Sequence, residues 1–100
     1  MSGARSVRRA RAPHVPATPL RALFRRVFRA RRAAGATPRT MADVALRIGV
    51  SESAVRAWAY GRRRCTAAAQ LAEALGVDVA EVQAAADATW AMRPPGAPTG

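Results

Sequence analysis

The sequence predicts an all-α fold built as one small domain, and three observations lead to this prediction. The chain has 100 residues, which is enough for a single domain with short extensions. Half of the residues are hydrophobic but only 5% are aromatic, and alanine, the strongest helix former, is abundant. No segment alternates β-branched and polar residues for long, so strands are not expected. We therefore expect five compact helices around a thin apolar core over residues 20–92.

The first two helices are predicted from an apolar stripe and from a capping residue. Over residues 20–34, an inner stripe recurs every three or four positions, and arginines occupy the other side. That stripe consists of Leu20, Leu23, Phe24, Val27, Phe28 and Arg31. Gly35 to Pro38 are expected to form a turn, after which Thr40 caps a second helix that reaches Ile48.

The last three helices are predicted in the same way. Ser51 is expected to cap a third helix from Glu52 to Tyr60, which ends at Gly61. Thr66 is expected to cap a fourth helix, and Asp78 a fifth. The fourth runs over residues 67–75, and the Pro- and Gly-rich residues 93–100 form a flexible tail. The predicted inner positions of these two helices are Leu71, Ala72, Leu75, Val79, Val82, Ala86 and Trp90.

Residues 41–60 indicate two short helices packed across a three-residue turn. Gly49 supplies the left-handed conformation that ends the first helix, and apolar residues at helical spacing face each other across the corner. The predicted structural core of this helix-turn-helix is Val44, Ala45, Ile48, Gly49, Val50, Val55 and Trp58. Such a pair leaves the outer face of its second helix free to enter a DNA major groove.

The charge is concentrated at the beginning of the chain. The net charge is +11, and residues 1–39 contain eleven of the seventeen arginines and no acidic residue. This asymmetry predicts a polyanionic partner. Three prolines in residues 1–19 oppose a continuous helix, so this segment is predicted to be a flexible basic arm. Its phosphate-contacting candidates are Arg5, Arg8, Arg9 and Arg11.

Several classes of function are disfavoured by composition. A single cysteine cannot form an intramolecular disulfide, which favours a cytoplasmic protein, and no apolar run approaches a membrane span. With no lysine, one histidine and no phosphate-binding glycine loop, neither an enzyme, a metal site nor a cofactor is expected. A transit peptide over residues 1–34 is an alternative interpretation, against which the scarcity of serine counts.

Residues 40–75 resemble the helix-turn-helix domain of the Cro and phage-repressor type, the XRE family. The resemblance rests on the predicted structural core together with Ser51. It rests also on two later segments, Gly-Arg-Arg-Arg at residues 61–64 and Leu-Ala-Glu-Ala-Leu-Gly-Val at residues 71–77. It implies a compact, lambda-repressor-like five-helix domain. Ala59 stands where many members have an acidic residue that pairs with an arginine of the first helix. Arg31 is therefore expected to lack a partner and to point to solvent or to DNA.

The resemblance also implies a scheme of DNA contacts. The third helix would read bases, with Glu52 accepting from a cytosine amino group and Arg56 reaching a guanine or a phosphate. The implied base-reading residues are Ser51, Glu52, Ser53, Arg56 and Ala57. The implied phosphate contacts in the domain are Thr40, the backbone N–H of Met41, and Arg62, Arg63 and Arg64.

These observations together predict a sequence-specific regulator of transcription that binds double-stranded DNA in the cytoplasm, associated with the nucleoid. One copy reads about half a turn of DNA, so a homodimer is expected, with Val82, Trp90 and Met92 as candidates for its surface. Two alternatives stay open. One is a low-specificity nucleoid or phage DNA-packaging protein. The other is an antitoxin or similar module that binds a protein partner.

Overall fold

The computed structural model describes residues 17–92, and within this range every regular element is a helix. The five helices are α1 (Pro19–Ala34), α2 (Met41–Ile48), α3 (Glu52–Tyr60), α4 (Ala68–Leu75) and α5 (Val79–Ala91). The all-α prediction is confirmed for this part of the chain. The predicted bounds of α3 agree with the structure, and α1 begins one residue earlier than predicted.

Side-chain caps start four of the helices. Thr40, Ser51 and Asp78 accept backbone N–H bonds at the beginnings of α2, α3 and α5, as predicted. The Thr18 hydroxyl caps α1 by accepting the Arg21 N–H at 3.1 Å. Pro19 is consequently the first residue of α1, where the missing N–H of proline costs nothing, and not the last residue of the arm.

The predicted cap of α4 is wrong. This helix begins at Ala68, one residue later than predicted, and the capping position belongs to Ala67, which has no side-chain cap. Thr66 is therefore one position too early to bond the first turn of α4.

The core lies where α1 packs against α3 and α5, while α2 and α4 close the remaining side. Phe24 is fully buried, and its ring stacks on that of Phe28 with a centroid distance of 5.6 Å. Truncating a buried Phe to Ala costs about 3–5 kcal/mol, so Phe24 alone accounts for a large part of the stability expected of a domain this size. The predicted inner residues of α4 are all buried, and they are Leu71, Ala72 and Leu75.

The buried side of α5 differs from the prediction. Val82, Ala86 and Thr89 are buried, whereas Val79 is 48% exposed and Trp90 is only partly covered. The stripe ends on Thr89 because its hydroxyl accepts the Leu20 N–H at 2.9 Å and donates to the Ala85 carbonyl at 2.8 Å. Since Val82 has no exposed surface, its assignment to a dimer surface is also wrong.

A close contact at Gly61 ties the end of α3 to α5. Gly61 has a φ of 78°, and a Cβ at this position would lie 2.9 Å from the Thr89 carbonyl oxygen. A side chain would therefore be strained and would collide with backbone. Only glycine lets α3 end this close to α5.

Arg31 has partners, contrary to the expectation that it lacks one. One guanidinium nitrogen donates to the Leu75 carbonyl at 3.0 Å and another donates to the Thr37 carbonyl at 2.9 Å. The Leu75 carbonyl lies at the negative end of α4, where a cation is favoured. Backbone oxygens thus replace the carboxylate whose absence at Ala59 led to the prediction.

Candidate nucleic-acid interface

The outer face of α3 is left free by the way α3 packs on α2. Gly49 has a φ of 79°, and the three-residue connection of residues 49–51 turns the chain so that Val55 and Trp58 are buried. Val44 and Ala45 are buried on α2, and Ile48 and Val50 pack against the same core. The opposite side of α3 carries Ser53 and Arg56, which are exposed.

One surface hollow joins the predicted base-reading residues with the predicted phosphate-binding residues. This hollow, the α3 hollow, has a volume of about 400 Å³. Its lining residues are Ser51, Ser53, Ala54, Ala57, Arg62 and Arg63. Four of these residues have small side chains and two are arginines. A shape of this kind admits a polyanion without a large side chain in its way.

Backbone hydrogen bonds place the two arginines at the edge of the α3 hollow. The N–H groups of Arg62 and Arg63 both donate to the Ala57 carbonyl, at 2.9 and 3.3 Å. The chain after Gly61 therefore folds back over the last turn of α3 instead of leaving it. This is why residues that follow the helix share a surface with Ser53 and Ala57 on its outer face.

Glu52 and Arg56 form an ion pair on α3, which was not predicted from the sequence. A single carboxylate oxygen of Glu52 accepts from Nε of Arg56 at 3.0 Å and from its Nη2 at 2.6 Å. This hydrogen bond, followed by the charge of Glu52, raises the pKa of Arg56. The spacing of four residues with Glu first is the arrangement that favours such a pair, so the signal was present in the sequence.

A second cluster lies at the end of α3 and was not predicted either. The guanidinium carbon of Arg21 lies 4.8 Å from the centroid of the Tyr60 ring, and that of Arg62 lies 5.5 Å from it. We call these three residues the Arg–Tyr–Arg cluster. Tyr60 follows Arg56 by four residues and is 41% exposed, so it belongs to the same outer face. The position of Tyr60 was readable from the sequence, but its contact with α1 was not.

The beginning of α2 offers a weaker place for a phosphate. The Thr40 hydroxyl accepts the Asp43 N–H at 3.1 Å, and the Asp43 carboxylate accepts the Arg39 N–H at 2.9 Å. Thr40 is exposed and Met41 is partly buried. An anion at this helix start would meet the carboxylate of Asp43 as well as the favourable helix dipole.

The remaining predicted contacts divide into exposed and undescribed residues. Arg64 is exposed, and its guanidinium carbon lies 5.8 Å from the centroid of the Trp90 ring. The predicted phosphate contacts Arg5, Arg8, Arg9 and Arg11 lie outside the described residues. Cys65 follows the arginines directly and is half-buried, and this burial raises the pKa of its thiol.

Residues 17–92 hold no group of three His, Cys, Asp or Glu side chains arranged to bind a metal ion. None of the five helices is both long enough and apolar enough to cross a membrane. Comparison with known proteins gives no relative: no family model, no curated protein and no solved structure matches the chain.

Proposed function

We propose that the chain is a helix-turn-helix protein of the XRE type that binds double-stranded DNA sequence-specifically and regulates transcription. The observation that carries this proposal is the α3 hollow, where Ser53 and Ala57 of the outer face meet Arg62 and Arg63. Sequence-specific binding needs groups that reach base edges beside groups that bind phosphate. The α3 hollow offers both within one surface.

In this proposal α3 enters the major groove, and each element has a separate task. The hydroxyl groups of Ser51 and Ser53 reach base edges, and Ala57 contacts the methyl group of a thymine. Arg62 and Arg63 bind the sugar–phosphate backbone at the edge of the groove, where their charges set the orientation of the domain without reading sequence. The small side chains that line the α3 hollow would allow the duplex to approach the helix backbone closely.

The Glu52–Arg56 pair is the main source of base discrimination in this proposal. Glu52 occupies Nε and one hydrogen of Nη2 in the free protein, which leaves the outer edge of the Arg56 guanidinium available. Arginine bonded to a guanine through two nitrogens is the commonest specific contact in the major groove. An Arg56 side chain held by Glu52 would present that edge in a restricted orientation, which lowers the conformational entropy lost on binding.

The regulatory part of the proposal follows from the size of the domain. One α3 covers about half a turn of duplex, so two copies on inverted half-sites would cover an operator. Regulation would then follow from occlusion or from recruitment at a promoter. Met92 and Trp90 at the end of α5 stay candidates for contact between the copies. We place the protein in the cytoplasm on the nucleoid, where its DNA lies.

Low-specificity binding, as in a nucleoid or packaging protein, is the second candidate, and one feature of α3 favours it. Three of the five base-reading candidates are serine or alanine, which make few directional contacts. If charge dominates, deleting residues 1–16 should weaken binding to all duplexes equally. It should also flatten the dependence of log K on log salt by about 0.9 for each phosphate that the arm neutralises. The deletion stops at Pro16 because Thr18 caps α1.

Affinity selection from a library of random duplexes at physiological salt tests the first proposal. We expect a short motif to be enriched, and expect replacing its guanines with 7-deazaguanine to weaken binding, because this change removes an acceptor in the major groove. Enrichment of no motif would contradict sequence-specific binding and leave the low-specificity candidate. A motif whose affinity is insensitive to the replacement would contradict guanine reading by Arg56.

A further inference from the structure

We propose that the Arg–Tyr–Arg cluster is a phosphate-binding site for the backbone of the same duplex that α3 reads. This inference rests on the proposed function and extends it to α1, a helix to which the DNA-contact scheme assigned nothing. It assigns the two guanidinium groups of Arg21 and Arg62 to phosphodiester oxygens. It assigns the Tyr60 ring to holding those groups in place.

Three contacts fix the cluster although its members come from distant parts of the chain. The Thr18 hydroxyl donates to the Ala59 carbonyl and also accepts the Arg21 N–H, so the first turn of α1 is fastened to the last turn of α3. Arg62 is fixed by its own N–H, which donates to the Ala57 carbonyl at 2.9 Å. The main chain at both arginines is thus fixed by hydrogen bonds, and each guanidinium group approaches the Tyr60 ring.

The cluster brings two positive charges together without an acidic partner. The ion pairs of the described residues are Arg26 with Glu81 and Arg56 with Glu52, and neither involves Arg21 or Arg62. Both guanidinium carbons lie close to the same Tyr60 ring, which limits the distance between them. A tyrosine ring attracts each cation through its face, but it adds no negative charge. Phosphate oxygens of a polyanion would supply the negative charge that the cluster lacks.

The position of the cluster fits the backbone of a duplex that occupies the α3 hollow. Arg62 lines the α3 hollow and also approaches the Tyr60 ring, so the two surfaces share a residue. Glu52, Arg56 and Tyr60 follow one another at intervals of four along the exposed face of α3. A strand leaving the groove past the end of α3 would meet Tyr60, and then Arg21 on α1.

The surroundings of the cluster favour a nucleic-acid backbone over a lipid surface. The next outward-facing residues on α1 are Ala22 and Arg25, and both are exposed. Insertion into a membrane requires large apolar side chains beside the charges. The other large apolar residues with much exposed surface, Leu46, Val79 and Met92, belong to α2, α5 and the end of α5.

Two variants of equal charge test the proposal. Arg21→Ala should weaken binding to specific and random duplexes alike, by about tenfold each. It should also reduce the slope of log K against log salt by about 1, because the variant neutralises one phosphate fewer. Arg29→Ala is the matched control, since it removes the same charge from an exposed position two turns along α1. We expect a clearly smaller change in slope for Arg29→Ala.

Equal effects of the two variants would overturn the proposal, because they would mean that only net charge matters. Tyr60→Leu removes the aromatic face while keeping an apolar side chain. It should give part of the Arg21→Ala effect, and an unchanged affinity would contradict the role of the ring. Circular dichroism melts of each variant identify any loss of folding. Were Arg21→Ala unfolded, Arg21→Gln would take its place, since it removes the same charge and keeps more of the side chain.

A separate measurement distinguishes failure of this proposal from failure of the proposed function. The Nε–H signals of Arg21 and Arg62 can be followed by NMR in the full-length wild-type chain during titration with inorganic pyrophosphate. We expect both signals to shift together and to saturate, with no comparable change at Arg29. This would support the site even if no duplex were bound. Absence of a shift, or binding only to vesicles of phosphatidylserine and phosphatidylcholine, would contradict it.

Discussion

Helix α1 and the segment that follows α3 are both rich in arginine, yet they use these residues differently. In α1, Arg31 and Arg32 donate to backbone carbonyls and Arg26 pairs with Glu81. Within the described residues, the side chains of Arg62, Arg63 and Arg64 make no ion pair or hydrogen bond to the protein, and all three are exposed. The difference shows that a high count of arginines overstates the number of guanidinium groups that are free to bind a partner. Part of the charge of α1 stabilises the fold.

The largest effect should come from removing an arginine that serves the fold. Arg31→Ala leaves the Leu75 and Thr37 carbonyls without their charged donor, which should lower the free energy of unfolding by about 1.5–3 kcal/mol. For a domain of this size, each kcal/mol corresponds to a fall in Tm of roughly 4–8 °C. Thermal unfolding, monitored by circular dichroism, measures this fall in Tm. Arg29→Ala, which removes an exposed arginine, should stay within about 0.5 kcal/mol of the wild type. Equal losses of stability in Arg31→Ala and Arg29→Ala would show that an arginine bonded to backbone carbonyls stabilises the fold no more than an exposed one.

Arg56→Ala should show the opposite behaviour, with little effect on folding and a clear effect on recognition. The pair with Glu52 is exposed and screened by solvent, so it adds little to stability. In DNA binding, the variant should reduce discrimination between specific and random duplex by about 1–3 kcal/mol. Competition binding at one salt concentration measures the change. Equal loss on both duplexes would assign Arg56 to the backbone instead.

Glu52→Gln sharpens the same prediction. The substitution removes the charge that holds Arg56 but keeps the length of the side chain. If Glu52 orients Arg56, discrimination should fall although Arg56 is still present, by less than in Arg56→Ala. A gain in affinity for every duplex, with discrimination unchanged, would show that Glu52 acts only by repelling phosphates.

A smaller effect is expected at the ion pair between α1 and α5. The side chains of Arg26 and Glu81 are 62% and 42% exposed, although their nitrogen and oxygen lie 2.6 Å apart. Pairs this accessible contribute about 0–1 kcal/mol. Chemical denaturation of Glu81→Gln should therefore give a free energy of unfolding within that range of the wild type. A larger loss would mean that α1 depends on its ion pair as well as on Arg31.

The smallest expected effect concerns Cys65, which directly follows the three exposed arginines. Burial is the largest influence on the thiol and raises its pKa, and the charge of Asp87 raises it further, whereas the backbone at Ala67 lowers it. Nearby cations would lower a thiol pKa, but the three arginines do not contribute to this shift. Less thiolate is then present at neutral pH than in a free cysteine. Alkylation by iodoacetamide should accordingly be slower in the folded protein than in the protein unfolded in urea, and the difference should narrow as the pH rises. Faster alkylation in the folded state would show that the arginines control the thiol.

Much of the fold was predictable because local signals determined it. Thr40, Ser51 and Asp78 are strong caps, and Gly49 and Gly61 end helices in the left-handed conformation. The predicted cap of α4 failed locally, by one position, whereas the errors at α5 and Arg31 arose where contacts between distant residues decide the outcome. The inner face of α5 ends on Thr89 because this side chain bonds the Leu20 N–H, sixty-nine residues away. A single helical period gives no sign of such a contact.

The candidate site also has parts that local sequence signals predict and parts that depend on contacts between distant residues. The Glu52–Arg56 pair follows from a spacing of four, and the exposed face of α3 follows from the buried positions of Val55 and Trp58. The meeting of Arg21 with Tyr60 depends on how the first turn of α1 is fastened to the last turn of α3. Packing also decides which arginines bind backbone carbonyls. The sequence therefore gives the number of arginines but not their partners.

Reading of DNA sequence by α3 can be tested by comparing the binding of two duplexes. Binding of the full chain to the DNA upstream of its own gene and to a random duplex of equal length would be measured across a salt series. We predict an affinity ratio of about 10³ or more that persists at physiological salt. Equal affinities that fall together as salt increases would contradict the account, because they would show that the arginines bind DNA without α3 reading it.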